Sequence, residues 1–222
     1  MRKTPFISGE YYHIYNRGVD KRVTFMDEDD IQRFYDSMKE FNVLEPIGSI
    51  YENSFAKKLG SSTSKSERDA LLVGLTAYCA NPNHFHLILK QEAEKGIEKF
   101  MHRIGTGYTK YFNNKYKRGG ALFQGRFKSV HIDSNEYLLH VSAYVNLNDR
   151  VHQLGSPTSK LVRSRSSWGE YTDRRIQGIC EKKIILGQFR NIAEYKGFAL
   201  SSLETITKRK EDLKDIGEFL LE

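Results

Sequence analysis

Hydrophobic and polar residues alternate with a period of two in several short segments of the chain. Because neighbouring side chains of a strand point to opposite faces, this alternation predicts β-strands with a buried face. The segment Lys57–Arg68, rich in Lys, Ser and Gly, is predicted to be a loop, and Asn81-Pro82-Asn83 is predicted to be a turn between two strands. The predicted strands are Tyr11–Arg17, Ile47–Tyr51, Leu71–Ala80, His84–Lys90 and Gly125–Ile132.

Three other segments carry their hydrophobic residues at helical spacing. The first begins after Asp27, a suitable capping residue that opens an acidic first turn, and its apolar positions run from Ile31 to Phe41. The second runs from about Gly96 to Lys117 and ends before a pair of glycines. The third is Asn135–Asn148, capped by Ser134.

The order strand, helix, hairpin, helix, strand predicts an α+β fold of the ferredoxin-like kind, an antiparallel sheet with helices on one face. The pattern changes after Asn148: Leu154–Ser167 is polar and loop-like, and Lys182–Glu222 has helical character. We therefore predict one domain over residues 1–150 and a mostly helical C-terminal extension over residues 151–222.

Composition narrows the class of protein. Of the 222 residues 39% are hydrophobic, enough for a substantial core, and the net charge of +7 favours a polyanionic partner. No run of about 18 apolar residues exists, and Met1–Pro5 does not resemble the start of a signal peptide, so we expect a cytosolic protein with no membrane partner. Cys79 and Cys180 form no C-x-x-C motif, which predicts neither a disulfide framework nor a zinc cluster.

The positive charge is concentrated between Lys95 and Lys128. This stretch holds nine basic residues against one acid, Glu98, and six aromatic residues are interleaved among them from Tyr108 to Phe127. Such a composition is typical of a surface that neutralises phosphates and stacks unpaired bases, although a solvated basic helix with core-facing aromatics gives the same pattern. The residues we predict to contact nucleic acid are Arg103, Lys110, Lys115, Arg118, Arg126 and Lys128.

Two histidines, His84 and His86, flank one hydrophobic residue in the predicted strand His84–Lys90. Strand alternation directs both histidines to one face and directs Phe85 and its apolar neighbours to the core. A pair on one face can hold a divalent metal ion, but a single His-x-His motif more often does not.

The third predicted helix supplies further chemistry. Tyr144 and Asn148 are four residues apart and therefore share a helical face. Two imidazoles and one carboxamide oxygen would leave coordination positions for water and a substrate phosphate, and a tyrosine phenol could attack that phosphate. Tyr108 and Tyr111, on the preceding helix, are alternative nucleophiles that spacing alone does not exclude.

Together these motifs resemble the single-tyrosine HUH transposases, and in particular their REP-associated branch. The resemblance runs in order over about residues 11–148, and a weaker echo follows at Ser166–Tyr171. The segments that carry it are Tyr12–Gly18, Asn81–Leu89, Tyr111–Asn113, Phe123–Ser129, Tyr137–Leu139 and Tyr144–Asn148.

The resemblance implies an endonuclease and strand transferase that acts on single-stranded or hairpin DNA through a 5′-phosphotyrosine. Tyr144 would be the nucleophile, and His84, His86 and Asn148 would bind Mg²⁺ or Mn²⁺. Relatives usually have proline where Asp149 stands, and Asp149 is a further candidate to bind or modulate the metal. The expected location is the bacterial cytoplasm, on nucleoid DNA, and both a monomer and a homodimer are compatible with the resemblance.

Two other functions stay open at this stage. One is a non-catalytic nucleic-acid-binding module that stacks bases on the sheet residues Tyr12 and Tyr15. The other is an HUH replication initiator or mobilisation nuclease, although the chain has no P-loop for a helicase domain.

Overall fold

The computed structural model describes residues 5–48, 50, 70–151 and 162–215. The strands are β1 (Tyr11–Arg17), β2 (Val73–Asn81), β3 (His84–Gln91), β4 (Lys128–Ile132) and β5 (Arg165–Ser166). The helices are α1 (Glu28–Glu40), α2 (Gly96–Lys115), α3 (Asn135–Asn146), α4 (Asn148–Val151), α5 (Trp168–Thr172), α6 (Lys183–Leu186) and α7 (Ile192–Asp215), and a 3₁₀ turn covers Val19–Lys21.

The five strands form one sheet in the order β4-β1-β3-β2-β5, and every neighbouring pair is antiparallel. The central pair, β1 and β3, runs in register from Tyr11 opposite Lys90 to Arg17 opposite His84. With α1 between β1 and β2, and α2 between β3 and β4, this is the topology of the predicted ferredoxin-like fold, which is confirmed. The prediction that helices cover one face is wrong, because α3 and the C-terminal helices pack on the face opposite α1 and α2.

Each face of the sheet has its own hydrophobic core. One core joins the sheet to α1 and α2 and contains Phe85, Leu87 and Leu89 of β3. The other core contains Ile88 of β3 and joins the sheet to α3 and the C-terminal helices. Burial on both faces makes β2 buried along its whole length.

A buried carboxylate links α1 to α2. The Asp30 side chain is fully buried and accepts hydrogen bonds from the Met26 backbone N–H, from the Tyr111 and Tyr116 hydroxyls and from the Lys115 ammonium group. Burial works against the charge of Lys115, but its hydrogen bonds to Asp27 and Asp30 raise the Lys115 pKa overall. The ion pair therefore holds the C-terminal end of α2 against the start of α1.

One predicted strand is wrong, and another is shorter than predicted. Ile47 and Gly48 lie outside any strand and Ile50 is helical, while Tyr51 lies outside the described residues. Gly48 has a φ of +67°, which interrupts extended backbone. The predicted strand Gly125–Ile132 begins only at Lys128, because Gly125, with a φ of +63°, lies in a turn.

The helix predictions agree with the structure except at their ends. Asp27 and Ser134 cap α1 and α3 with their side chains, as predicted, and α2 ends at Lys115 rather than Lys117. The predicted helix Asn135–Asn148 is divided into α3 and α4 at Leu147.

The C-terminal part of the chain is largely helical, as expected. Within the predicted loop Leu154–Ser167, however, β5 adds a short strand to the edge of β2. The predicted loop Lys57–Arg68 lies outside the described residues. Among the helices of the described ranges, none combines the length and hydrophobicity that a membrane span requires.

We predict that Lys115→Met lowers the free energy of unfolding by about 2 to 3 kcal/mol, because it leaves the buried Asp30 carboxylate without its cation. Urea unfolding checks this. The matched control is Lys110→Met on the exposed side of α2, which should change stability by less than about 0.5 kcal/mol. Equal stabilities of the two variants would contradict the role given to the ion pair.

Candidate active site

Three histidines come together on the sheet face that carries α3. Alternation along β3 places His84 and His86 on this face, because Phe85 and Leu87 are buried in the opposite core. On β1, Ile14 belongs to that opposite core and His13 is its neighbour, so His13 joins the other two histidines. The prediction that the histidine pair shares one face is therefore correct.

His84 lies in a hydrogen-bond network with three asparagines. Its Nδ1 is 2.6 Å from Asn83 Oδ1, and its Nε2 is 2.8 Å from Asn81 Nδ2 and 3.2 Å from Asn148 Oδ1. Asn81 Nδ2 also donates to Asn148 Oδ1 at 2.6 Å. If His84 donates from Nδ1 to Asn83, its Nε2 lone pair and the Asn148 carbonyl oxygen both accept from the Asn81 amide, which lies between them.

His86 is paired with His13. The Nε2 of His13 lies 2.9 Å from the Nδ1 of His86, and the two rings are stacked with centroids 5.1 Å apart. Burial lowers the pKa of His13 to about 4, so His13 is neutral at pH 7. A neutral His13 can accept the Nδ1 proton of His86, and this arrangement leaves the His86 lone pair on Nε2.

Tyr144 lies edge-on against both of these rings. Its ring centroid is 5.4 Å from that of His86 and 6.0 Å from that of His13. All three residues line a cavity of about 210 Å³, together with His84, Tyr15, Asn16, Arg17, Gln124, Lys128 and Val130. One cavity thus combines a half-buried phenol, imidazoles and two cationic side chains.

The alternative nucleophiles lie on the other side of the sheet. Tyr108 is fully buried in the core of α1 and α2, donates its hydroxyl to the Thr24 carbonyl at 2.7 Å, and has a pKa raised by burial. The Tyr111 hydroxyl donates to Asp30. The structure therefore brings only Tyr144 of these three tyrosines to the histidines.

Three of the predicted DNA-contacting residues make hydrogen bonds within the fold, and the other three line a cavity or are exposed. Arg103 donates to carbonyl oxygens that follow α1, Lys115 pairs with Asp27 and Asp30, and Arg118 donates to Asn113 and Ala121. In contrast, Lys128 lines the cavity of Tyr144, Arg126 lines a larger neighbouring cavity, and Lys110 is exposed on α2.

Asp149, the further candidate ligand, lies beside the buried thiol of Cys79. Burial, followed by the charge of Asp149, raises the pKa of Cys79, and burial also raises the pKa of Asp149.

The C-terminal part of the chain holds the helix that carries Tyr144. The Ser166 hydroxyl donates to the Asn146 carbonyl at 2.9 Å, and the Ser167 hydroxyl contacts the Asn146 side-chain oxygen at 2.6 Å. The Asn146 amide donates to the hydroxyl of Tyr195, a fully buried residue of α7. These contacts fix the end of α3 two residues beyond Tyr144.

Sequence reasoning gave no site role to His13 or Asn81. For His13 a signal exists: it alternates with the apolar Ile14 in a strand predicted to belong to the same sheet as His84–Lys90. For Asn81 no such signal exists. Its contacts with His84 and Asn148 depend on how α3 and α4 pack on the sheet.

Comparison with known proteins finds a family model that matches part of the chain. Residues 50–148 match the family model described as "Transposase IS200 like", and this range includes His84, His86, Tyr144 and Asn148. The chain therefore carries a transposase-like segment, and the resemblance that its motifs predict is confirmed. A search of the curated proteins gave no match.

Among solved structures, the chain is similar to a REP-associated tyrosine transposase bound to a REP hairpin. The TM-score is 0.52 at 14% identity, and the match covers 81% of this chain and 88% of that one. A bacterial tRNA(His) guanylyltransferase-like protein in complex with GTP gives a TM-score of 0.35 at 9% identity, covering 70% of this chain and 71% of that chain. The first likeness shows a shared fold, whereas the second is too low to show one.

Proposed function

We propose that this protein cleaves and rejoins single-stranded DNA with Tyr144 as the nucleophile. The Tyr144 phenol oxygen attacks a backbone phosphorus, the bond from phosphorus to the 3′ oxygen breaks, and the 5′ phosphate becomes attached to the tyrosine. The proton lost by the phenol balances the one gained by the released 3′-hydroxyl. Attack by the 3′-hydroxyl of the same or another strand reverses the step, which favours strand transfer over degradation.

The observation that carries this proposal is the position of Tyr144 in the cavity of His84 and His86. A tyrosine phenol, with an ordinary pKa near 10, is a weak nucleophile at neutral pH and needs an aligned, polarised phosphate. Arg17 and Lys128 line the same cavity and supply positive charge for the phosphate.

A divalent cation, Mg²⁺ or Mn²⁺, fits the donor set of His84, His86 and Asn148. Asn148 turns its carbonyl oxygen towards His84 and leaves its amide nitrogen buried without a hydrogen-bond partner among the described residues. Among those residues no group of three His, Cys, Asp or Glu side chains could hold a metal ion, and the proposed set takes its third ligand from Asn148. A bound cation supplies charge stabilisation at the phosphate oxygens.

Single-stranded DNA is the substrate we favour over duplex. A backbone phosphate must reach Tyr144, which is half-buried among sheet residues, and an unpaired strand can bend into such a cavity. The solved relative is a transposase bound to a REP hairpin, which supports a hairpin beside the cleaved strand. The location that follows is the bacterial cytoplasm, on nucleoid DNA.

We also propose that the two parts of the chain have different functions. Residues 1–150 form the catalytic part, and the extension over residues 151–222 holds α3 in place through its contacts with Asn146. Because His84, His86 and Tyr144 of one chain line one cavity, the chemistry needs no residue from a second copy.

Tyr144→Phe removes only the hydroxyl, so the ring still packs against His86 while the attacking oxygen is lost. We predict that covalent attachment to labelled single-stranded DNA falls by about 10³-fold or more, with DNA affinity unchanged. A denaturing gel shift measures the attachment. Tyr137→Phe, an exposed tyrosine of the same helix, is the control and should keep full activity. Undiminished attachment in Tyr144→Phe would refute the proposed nucleophile.

Mn²⁺ binding should depend on His84, His86 and Asn148. We predict that His84→Ala and Asn148→Ala each weaken Mn²⁺ binding by about 10-fold or more, because each removes a ligand atom. Titration followed by electron paramagnetic resonance checks this without DNA. The control is His131→Ala, whose imidazole lies at the surface next to Glu10. The metal hypothesis fails if His84→Ala and His131→Ala bind Mn²⁺ equally well.

Affinity for single-stranded DNA should fall steeply as salt rises. Each phosphate contact contributes a slope of about 0.7 to the dependence of log K on log salt, so Arg126→Ala and Lys128→Ala should each reduce the slope by about that amount. Fluorescence anisotropy at several salt concentrations measures it. Arg175→Ala, at an exposed arginine paired with Asp173, should leave the slope unchanged. A wild-type slope near zero would show that the basic stretch is only a solvated surface.

A further inference from the structure

A second and larger cavity adjoins the candidate active site. It has a volume of about 980 Å³, at the upper end of the range of about 300 to 1,000 Å³ typical of ligand sites. One side is formed by α2, where Gly105, Thr106 and Thr109 have small side chains that leave room for the cavity. The other side is formed by the segment 121–127. We call this cavity the α2 groove.

The α2 groove and the cavity of Tyr144 share a lining residue. Asn16, near the end of β1, lines both of them, and its amide lies 3.3 Å from the Gly125 carbonyl at the rim of the groove. A strand whose phosphate lies at Tyr144 and that turns past Asn16 would place its next nucleotides in the α2 groove.

The lining of the α2 groove suits an unpaired base. The partly exposed ring of Phe127 lines the groove, the buried side chains of Phe123 and Met101 form an apolar floor, and Arg126 provides a cation for the backbone. Aromatic rings with a nearby cation are the usual surface for stacking bases of single-stranded nucleic acid.

One acidic group in this lining does not suit a phosphate. Glu98 lines the α2 groove from the first turn of α2, where the helix dipole stabilises its negative charge. Its Oε2 atom is shielded from solvent and has no hydrogen-bond partner among the described residues. The cationic Arg126 and the imidazole of His102 line the same groove, yet neither donates to that oxygen. A carboxylate oxygen can only accept, so a ligand in the groove would meet Glu98 with an N–H or O–H donor.

We propose that Glu98 selects the base bound in the α2 groove, by accepting a hydrogen bond from an exocyclic amino group. Cytosine, adenine and guanine carry such a group, whereas thymine and uracil present a carbonyl oxygen that repels a carboxylate. This inference rests on the proposed binding of single-stranded DNA, and it adds a specificity-determining residue to it.

Oligodeoxycytidine and oligodeoxyuridine of about 12 nucleotides test this directly, because their bases differ only at position 4 and at the adjacent nitrogen. Binding to the full chain is measured by fluorescence anisotropy in metal-free buffer, so that no cleavage occurs. We expect the wild-type protein to bind oligodeoxycytidine about tenfold more tightly. In Glu98→Gln and in Glu98→Ala the ratio should fall to about one, with binding of oligodeoxyuridine retained.

The control is Glu94→Gln, which makes the same change of charge at an exposed position and should keep the tenfold ratio. A wild-type ratio of one, or an unchanged ratio in both Glu98 variants, would overturn the role of Glu98 and leave DNA binding intact. Failure of the wild-type protein to bind either oligonucleotide would instead overturn the proposed function and this inference with it.

Discussion

The alternation of side chains along β3 is the constraint on which the rest of the structure depends. Phe85, Leu87 and Leu89 pack into the core beneath α1 and α2. This packing decides that the residues between them face α3. A slip of one residue would put the three apolar side chains on the face of α3 and bury both histidines under α1 and α2. The same burial that stabilises the domain therefore orients His84 and His86.

Two further elements complete the candidate site around these histidines. Strand β1 pairs with β3 over its whole length and brings His13 to His86, where a neutral imidazole can set the tautomer of its neighbour. Helix α3 brings Tyr144 over the same face. The position of α3 depends in turn on Asn146, which contacts β5 and the buried Tyr195. The C-terminal extension is thus part of the support of the site.

The sequence predicted much of this arrangement because each prediction rested on a local pattern. Alternation located β1, β2 and β3, and capping residues located α1 and α3. Local pattern failed at Ile47–Tyr51, where a short apolar run resembles a strand although Gly48 adopts a positive φ. Periodicity alone cannot distinguish these cases.

Other features could not be predicted from the sequence because they depend on contacts between distant parts of the chain. The charge of Lys115 was predicted to meet DNA, but in the fold its ammonium group meets Asp27 and Asp30, more than 80 residues away. Asn81 contacts Asn148 across a separation of 67 residues. Only the packing of helices on the sheet decides such pairings, and no spacing in the sequence records them.

The central claim is that a tyrosine of α3, placed against His86, carries the chemistry. The most direct measurement is peptide mapping by mass spectrometry after the wild-type protein is incubated with single-stranded DNA from the flanks of its own gene and Mn²⁺. Tryptic cleavage releases Ser129–Arg150, which contains both Tyr137 and Tyr144. The account predicts a nucleotide attached to Tyr144. Attachment to Tyr137, Tyr108 or Tyr111, or no covalent attachment to any tyrosine, would contradict it.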